Sequence, residues 1–232
     1  MNRHFMKVLE NKTADPYCVL RVERPPAFDF LAGQFVMIRR KEDPLCDRRA
    51  FSIASSPLET GHLEFFIKKV DAGAVSPRLY TAQQGDVLEL SGPFGKFVLS
   101  DVSAGDEKGV CLIGAGSGLA PLLSMLRTLV LQKYPGRIHL IHSTRKARDL
   151  LYRQELERYA ATLPLVSYTQ YVSREVVSGC LQGRIDLQQI EIKHPDAVLA
   201  YVCGPPALVD DIVAALKKRG LSEDAIKTER YD

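Results

Sequence analysis

The segment Gly114-Ala115-Gly116-Ser117-Gly118-Leu119-Ala120-Pro121 has the composition of a turn that receives a phosphate. It follows the apolar run Val110–Ile113 and precedes a helical stripe, so it joins a strand to a helix. Glycine lets the backbone approach an anion with no Cβ in the way, and a helix start offers free N–H groups and the positive end of its dipole. Pro121 suits a first turn, where no N–H is required. Gly114, Gly116, Ser117, Gly118 and Pro121 therefore read as a nucleotide pyrophosphate site. The alternative is a strand–helix joint that needs glycine only for tight packing. A hydrolase elbow centred on Ser117 is excluded by register, because positions 115 and 119 hold Ala115 and Leu119 rather than glycine.

A second constellation lies at the ends of the next two strands. A dinucleotide fold usually sets an acidic residue on the adenosine ribose after its second strand. Here that strand ends Ser143-Thr144-Arg145, Lys146 and Arg148 follow, and no carboxylate appears before Asp149. The third strand ends Ser173-Arg174. Hydroxyls with guanidinium groups suit a 2′-phosphate better than a free 2′-hydroxyl, which favours NADPH over NADH. The alternative is a solvated basic loop. His139 and His142 are three apart on a strand and face opposite sides, so no metal site is expected. The five cysteines, at 18, 46, 111, 180 and 203, are never closer than 23 residues. That spacing excludes a cysteine-ligated iron–sulfur cluster and a zinc knuckle, and argues against a disulfide framework. Reduced thiols in a cytoplasmic protein follow.

The elements that must position these residues fall into two textures. The 232 residues are 46% hydrophobic, 25% charged and 8% aromatic, with a net charge of +3. These values exclude a disordered chain and give no sign of a nucleic-acid binder. The first ten residues lack an apolar run of signal-peptide length. Gly109–Leu126 carries no charge, but its glycines and Pro121 break it, so no membrane span is expected. Phe5–Glu10, Tyr17–Val22, Phe35–Arg39, Ala50–Ala54, Leu63–Val70 and Val87–Ser91 read as short strands between turns such as Asp15-Pro16 and Gly92-Pro93. They imply an antiparallel barrel or sandwich, interrupted by a short helix at Ser76–Ala82. Asp101–Lys108 is small and polar, a linker. Beyond it, strands at Val110–Ile113, Arg137–His142, Leu165–Val172, Val198–Cys203 and Ile226–Glu229 alternate with helices at Pro121–Lys133, Leu150–Ala161 and Pro206–Arg219. Alternation of this kind means a doubly wound parallel sheet. The expected fold class is two domains, an antiparallel β-barrel over 1–103 and an α/β doubly wound domain over 108–232.

These motifs, in this order, resemble the ferredoxin–NADP reductase family over nearly the whole chain. Arg49-Ala50-Phe51-Ser52 is similar to the family's flavin motif Arg-x-Tyr-Ser. Ile67-Lys68-Lys69-Val70 followed by Gly73-Ala74-Val75-Ser76 resembles its flavin-pyrophosphate segment, and Gly92-Pro93-Phe94-Gly95 the end of its flavin barrel. The glycine turn resembles the nicotinamide-nucleotide loop, Cys203-Gly204-Pro205-Pro206 the element beside the nicotinamide, and Glu229-Arg230-Tyr231-Asp232 the acidic and aromatic ending of several members.

The resemblance implies a flavoprotein oxidoreductase that passes hydride from NADPH to FAD and single electrons to an acidic ferredoxin or flavodoxin. It implies that Arg49 neutralises the flavin pyrophosphate, Phe51 stacks on the ring, and Ser52 serves flavin N5. Ala50, Ile67, Lys68, Gly73, Ala74, Val75 and Ser76 complete the FAD site, and Glu229 and Tyr231 lie near the other flavin face. Cys203, Gly204 and Pro205 would receive the nicotinamide, with Ser52, Cys203 and Glu229 the catalytic set. Arg145, Arg174 and Arg184 would hold the 2′-phosphate, beside Ser143, Thr144 and Ser173. Phe51 stands where the family usually has Tyr, which removes a hydroxyl contact to the ribityl chain, and the absence of a clear adenine-stacking signature leaves FMN open beside FAD. Arg39-Arg40-Lys41, Arg48, Lys68-Lys69 and Arg78 are the candidates for a basic rim that meets an acidic carrier. Other readings are an NAD(P)H:flavin reductase, a reductase component of an oxygenase system, an electron-transfer subunit of a larger complex, and a nucleotide-binding regulator without flavin.

Overall fold

Strand β1 (Arg3–Ala14) alternates strictly at its start, burying Met6 and Val8 while Phe5 and Lys7 face out. The same alternation buries Cys18, Leu20 and Val22 on β2 (Tyr17–Glu23), Val36 and Ile38 on β3 (Phe35–Arg40), and Leu88 and Leu90 on β6 (Val87–Phe94). With Leu63, Phe65 and Ile67 of β5 (His62–Lys68) these side chains form one core. Each fully buried aliphatic contributes roughly 1.5–3 kcal/mol. With β4 (Arg49–Ser52) the strands make a six-stranded antiparallel sheet, order β4-β3-β6-β1-β2-β5. Beyond β4, the N–H of Ala54 reaches the carbonyl of Glu64 on β5 at 2.8 Å, so the two edges of the sheet meet. The expected turn at Gly92-Pro93 is not a turn: β6 runs through it, and Phe94 pairs with Phe35. Helix α1 (Ser76–Tyr80) is held from below by Asn11, whose amide donates to the carbonyls of Leu79, Tyr80 and Ala82 at 3.2, 3.1 and 2.8 Å.

The rest of the chain forms a parallel sheet, order β10-β9-β8-β7-β11-β12. Its members are β7 (Gly109–Ala115), β8 (Ile138–Thr144), β9 (Val166–Val172), β10 (Leu181–Gln182), β11 (Val198–Gly204) and β12 (Ile226–Arg230). Helices α2 (Leu119–Leu131), α3 (Arg153–Thr162) and α4 (Pro206–Lys218) fill the crossovers. Buried on both faces, β7 and β11 read as unbroken apolar runs. The two-residue β10 has no apolar signature and is the one sheet member that periodicity does not reveal. The uncharged stretch Gly109–Leu126 is a strand, a turn and part of a helix, and no helix among the described residues is long and apolar enough to cross a membrane.

This computed structural model describes residues 3–40, 48–99, 102, 107–186, 188, 192 and 194–231. Lys41 and most of the expected linker lie outside them. Contacts divide the chain into two compact units, one of Met1–Ser100 with Leu123–Thr128, the other of Asp101–Leu122 with Leu129–Asp232. The middle of α2 therefore belongs to the first unit.

Candidate functional site

The first unit presents the sequence-predicted flavin strand at an edge of its sheet. Along β4, Arg49 and Ala50 are exposed and Phe51 and Ser52 half-buried. Neighbouring arginines are spoken for. Arg39 donates to Glu89 through Nε at 3.0 Å and Nη2 at 2.5 Å, Arg48 donates to the same carboxylate at 2.6 Å, and Arg40 pairs with Asp86. Burial pushes the Glu89 carboxyl up, but the Arg39 hydrogen bonds and the surrounding positive charge hold it below the usual range. Arg49, by contrast, has no ion-pair partner among the described residues. An exposed guanidinium two residues before a half-buried aromatic ring, on the same face of the strand, is a fit for a flavin pyrophosphate and ring. Ser76 accepts the N–H of Val70 at 3.1 Å, which braces the 70–76 turn and leaves its own proton to give. Gly73 and Ser76 are half-buried, and Lys68 and Ala74 exposed. The side chains of Ile67 and Val75 belong to the core, so any cofactor contact from them comes from backbone.

In the second unit the glycine turn is a short 3-10 turn, Gly116–Gly118, running directly into α2, so the helix starts two residues earlier than its expected beginning at Pro121. The glycines have separate reasons. Gly116 has a φ of +54°, the left-handed region. A Cβ on Gly118 would stand 2.4 Å from the carbonyl oxygen of Cys203, so glycine is required there by packing against β11. Gly114 is likewise covered by Leu122. His142, buried beneath the turn, donates from Nε2 to the carbonyl of Gly116 at 3.0 Å, and burial lowers its pKa to about 4. No sequence signal marks this histidine, because its place beside Gly114 comes from the register of β7 with β8.

Register puts Cys203 opposite Gly114 on one side and Glu229 on the other. The Cys203 thiol points at Glu229 Oε2 from 3.8 Å. Burial, then the carboxylate charge, drives the thiol pKa well up, and burial raises Glu229 to about 7. The pair is thus a protonated thiol beside a carboxyl that holds or releases a proton near neutrality. Gly204 is buried and Pro205 exposed at the start of α4. The Tyr231 hydroxyl accepts the N–H of Gly118 at 2.8 Å and donates to the carbonyl of Ala115. Its polar contact is with the nucleotide turn, so any flavin contact falls to its ring.

The predicted phosphate residues sort into two kinds. Ser143 and Thr144 are buried, and the Thr144 hydroxyl donates to the carbonyl of Lys146 at 3.4 Å, which shapes the loop. The Ser173 hydroxyl donates to the carbonyl of Thr144 at 3.2 Å, and the N–H of Arg174 to that of Arg145 at 3.0 Å. These bonds hold the two strand ends together and leave Arg145 and Arg174 exposed, without an ion-pair partner among the described residues. The short β10 brings the third arginine: it pairs with Tyr171 and Val172, and the N–H of Gly183 donates to the carbonyl of Val172 at 3.0 Å, so Arg184 emerges at the same edge. No group of His, Cys, Asp and Glu among the described residues is arranged to hold a metal.

Comparison with known proteins agrees with this layout. The family described as the oxidoreductase FAD-binding domain matches residues 16–99, and that described as the oxidoreductase NAD-binding domain matches residues 112–214. The ferredoxin–NADP reductase of Azotobacter vinelandii is 32% identical over 221 residues, covering 87% of this chain and 83% of the relative. This chain belongs to the ferredoxin–NADP reductase family. The phenol hydroxylase P5 protein of Acinetobacter pittii is 30% identical over 230 residues, 91% of this chain but 60% of that protein. This family member likewise spans 64% of a propane 2-monooxygenase reductase component and 59% of a toluate 1,2-dioxygenase electron transfer component. The Amycolatopsis cytochrome P450 reductase GcoB has a TM-score of 0.87 at 28% identity, covering 98% of this chain and 70% of that one.

As a ferredoxin–NADP reductase family member the chain carries an oxidoreductase FAD-binding domain and an oxidoreductase NAD-binding domain, and the matched description names FAD rather than FMN. The basic rim expected of it is largely consumed. Beyond the pairs on Glu89 and Asp86, Lys69 lies 3.4 Å from Asp71 and over the ring of Tyr80. Lys68 and Arg78 are exposed.

Proposed function

We propose that the protein passes hydride from NADPH to FAD and single electrons to a ferredoxin- or flavodoxin-type carrier, with residues 1–103 as the FAD domain and 108–232 as the NADP domain. The supporting observation is the row of groups at the carboxyl ends of the parallel strands. His142 fixes the glycine turn, Cys203 and Glu229 face each other one and two strands from that turn, and three exposed arginines follow the neighbouring strands. Bound FAD supplies the conversion between a two-electron donor and a one-electron acceptor. Arg49 neutralises its pyrophosphate, Phe51 packs on its ring, and Ser52 offers a hydroxyl to N5. Arg145, Arg174 and Arg184 take the 2′-phosphate, and Glu229 holds a proton within reach of the Cys203 thiol. Four free cysteines among the described residues suit the reducing cytoplasm.

The names of the longer relatives support a second reading, a reductase component that serves an oxygenase. Purified protein with a bound-flavin visible spectrum and NADPH-dependent reduction of an added ferredoxin supports the proposal. Reduction of an oxygenase component in place of ferredoxin supports the second reading, and a colourless, inactive protein refutes both. In Arg174→Ala the preference for NADPH over NADH falls on the order of tenfold or more, the loss of one charge-assisted bond. An unchanged preference refutes the phosphate role.

A further inference from the structure

Helix α2 is buried all round between Leu119 and Leu129, so an apolar stripe alone does not describe it. Ser124, Arg127 and Thr128, spaced i, i+3 and i+4, form a second, polar face whose members are 0%, 7% and 5% exposed. Within the first unit that face grips three consecutive residues, Ala54-Ser55-Ser56, which begin two residues beyond the flavin strand. Ser124 Oγ donates to the carbonyl of Ser55 at 2.7 Å. Thr128 Oγ1 spends its proton on the carbonyl of Ser124 at 2.7 Å, so the 2.8 Å contact with Ser56 runs from Ser56 to Thr128. Arg127 Nη1 donates to the carbonyl of Ala54 at 3.1 Å and to Glu64 Oε1 at 2.7 Å.

The charge is matched at the same point. Glu64 is fully buried on β5, and its other oxygen accepts Arg21 Nε at 2.7 Å. The backbone closes the circuit, because the N–H of Ala54 donates to the carbonyl of Glu64 at 2.8 Å and the N–H of Glu64 to Ser55 Oγ at 3.1 Å. An apolar helix face would bury as much surface, and a buried ion group by itself is weak evidence for stability. What the polar face adds is direction: side-chain hydrogen bonds that admit one register and one depth for residues 54–56.

We infer that Arg127, braced by Glu64 and flanked by Ser124 and Thr128, is the positioning residue of the flavin strand. By fixing the exit of β4 it sets where the Phe51 ring and the Ser52 hydroxyl stand. The inference rests on the reading that Arg49–Ser52 holds the flavin.

The test compares Arg127→Met, Arg127→Lys, Ser124→Ala and Arg49→Ala in the full chain. Four quantities are measured: FAD affinity of the apoprotein by fluorescence, band shape of the bound flavin, its midpoint potential, and the affinity for 2′-phospho-ADP-ribose. In folded Arg127→Met, FAD affinity falls on the order of tenfold, the loss of a charge-assisted bond, and the visible bands and potential shift. Affinity for 2′-phospho-ADP-ribose stays unchanged. Arg127→Lys restores part of the FAD affinity and of the band shape. Should Arg127→Met fail to fold, the same shifts in Arg127→Lys and Ser124→Ala at unchanged melting temperature support the inference, and flavin properties like wild type in both refute it. Wild-type affinity, bands and potential in folded Arg127→Met also refute it, provided Arg49→Ala weakens FAD. If Arg49→Ala leaves FAD binding intact, the flavin-strand reading itself is overturned.

Discussion

Replacing Glu229 by Gln tests the proton-holding role directly. Burial raises this carboxyl from 4.5 to about 7, against the Cys203 contact, which acts to lower it. An unfolded glutamate releases its proton near 4.5 while the folded one keeps it to about 7, so between these values the folded state binds more protons. Wild-type stability from this group is fully present below the unfolded value and is lost as pH rises through the folded one. At about 1.4 kcal/mol per pH unit the full loss is about 3 kcal/mol. Glu229 is only partly buried, so solvent screening lowers that to about 1–2 kcal/mol. Glu229→Gln removes the loss and keeps the shape. Urea unfolding of both proteins at several pH values isolates the effect, because every other titrating group is common to the pair and cancels in the difference. Near pH 5 the variant lies closest to wild type, and by about pH 8.5 it gains about 1–2 kcal/mol relative to it. A difference that is flat with pH shows that Glu229 titrates as an ordinary surface carboxylate and overturns the proton-holding assignment.

Other consequences follow from the same geometry. Glu89→Gln strands Arg39 and Arg48 without their shared carboxylate and lowers unfolding free energy by about 2–4 kcal/mol, read from the urea midpoint. His142, held neutral by burial, shows no NMR titration between about pH 5.5 and 8. Because its folded pKa lies below the unfolded one, the stability it contributes is lost as pH falls towards 4. His142→Leu releases the Gly116 carbonyl and raises KM for the nucleotide several-fold with little change in kcat. Brief alkylation of native protein followed by peptide mass spectrometry labels Cys180 and spares Cys18, Cys111 and Cys203, whose thiols are buried and pushed upward in pKa, Cys18 and Cys111 to about 12.

The sequence by itself determined what short-range periodicity can carry. Alternation at two residues marks β1, β2, β3 and β6, the apolar runs mark β7 and β11, and a glycine turn between strand and helix marks the nucleotide loop. These signals survive because each element must bury one face or both whatever its partners are. What the charged and polar residues do was decided only by tertiary structure, since their partners lie far along the chain. Arg39 and Arg48 read as a docking rim until Glu89, 50 and 41 residues away, takes both. Arg184 had spacing alone to support it, and only the pairing of β10 with Tyr171 and Val172 shows that it follows a strand of the same sheet. His142 read as an ordinary strand histidine, yet it holds the Gly116 carbonyl. Nothing in the local pattern singles out Ser124, Arg127 and Thr128, because 69, 73 and 72 residues separate them from the groups they grip. A hydrogen bond depends on where two atoms finally stand, and local pattern fixes only which way each side chain leaves its own strand or helix.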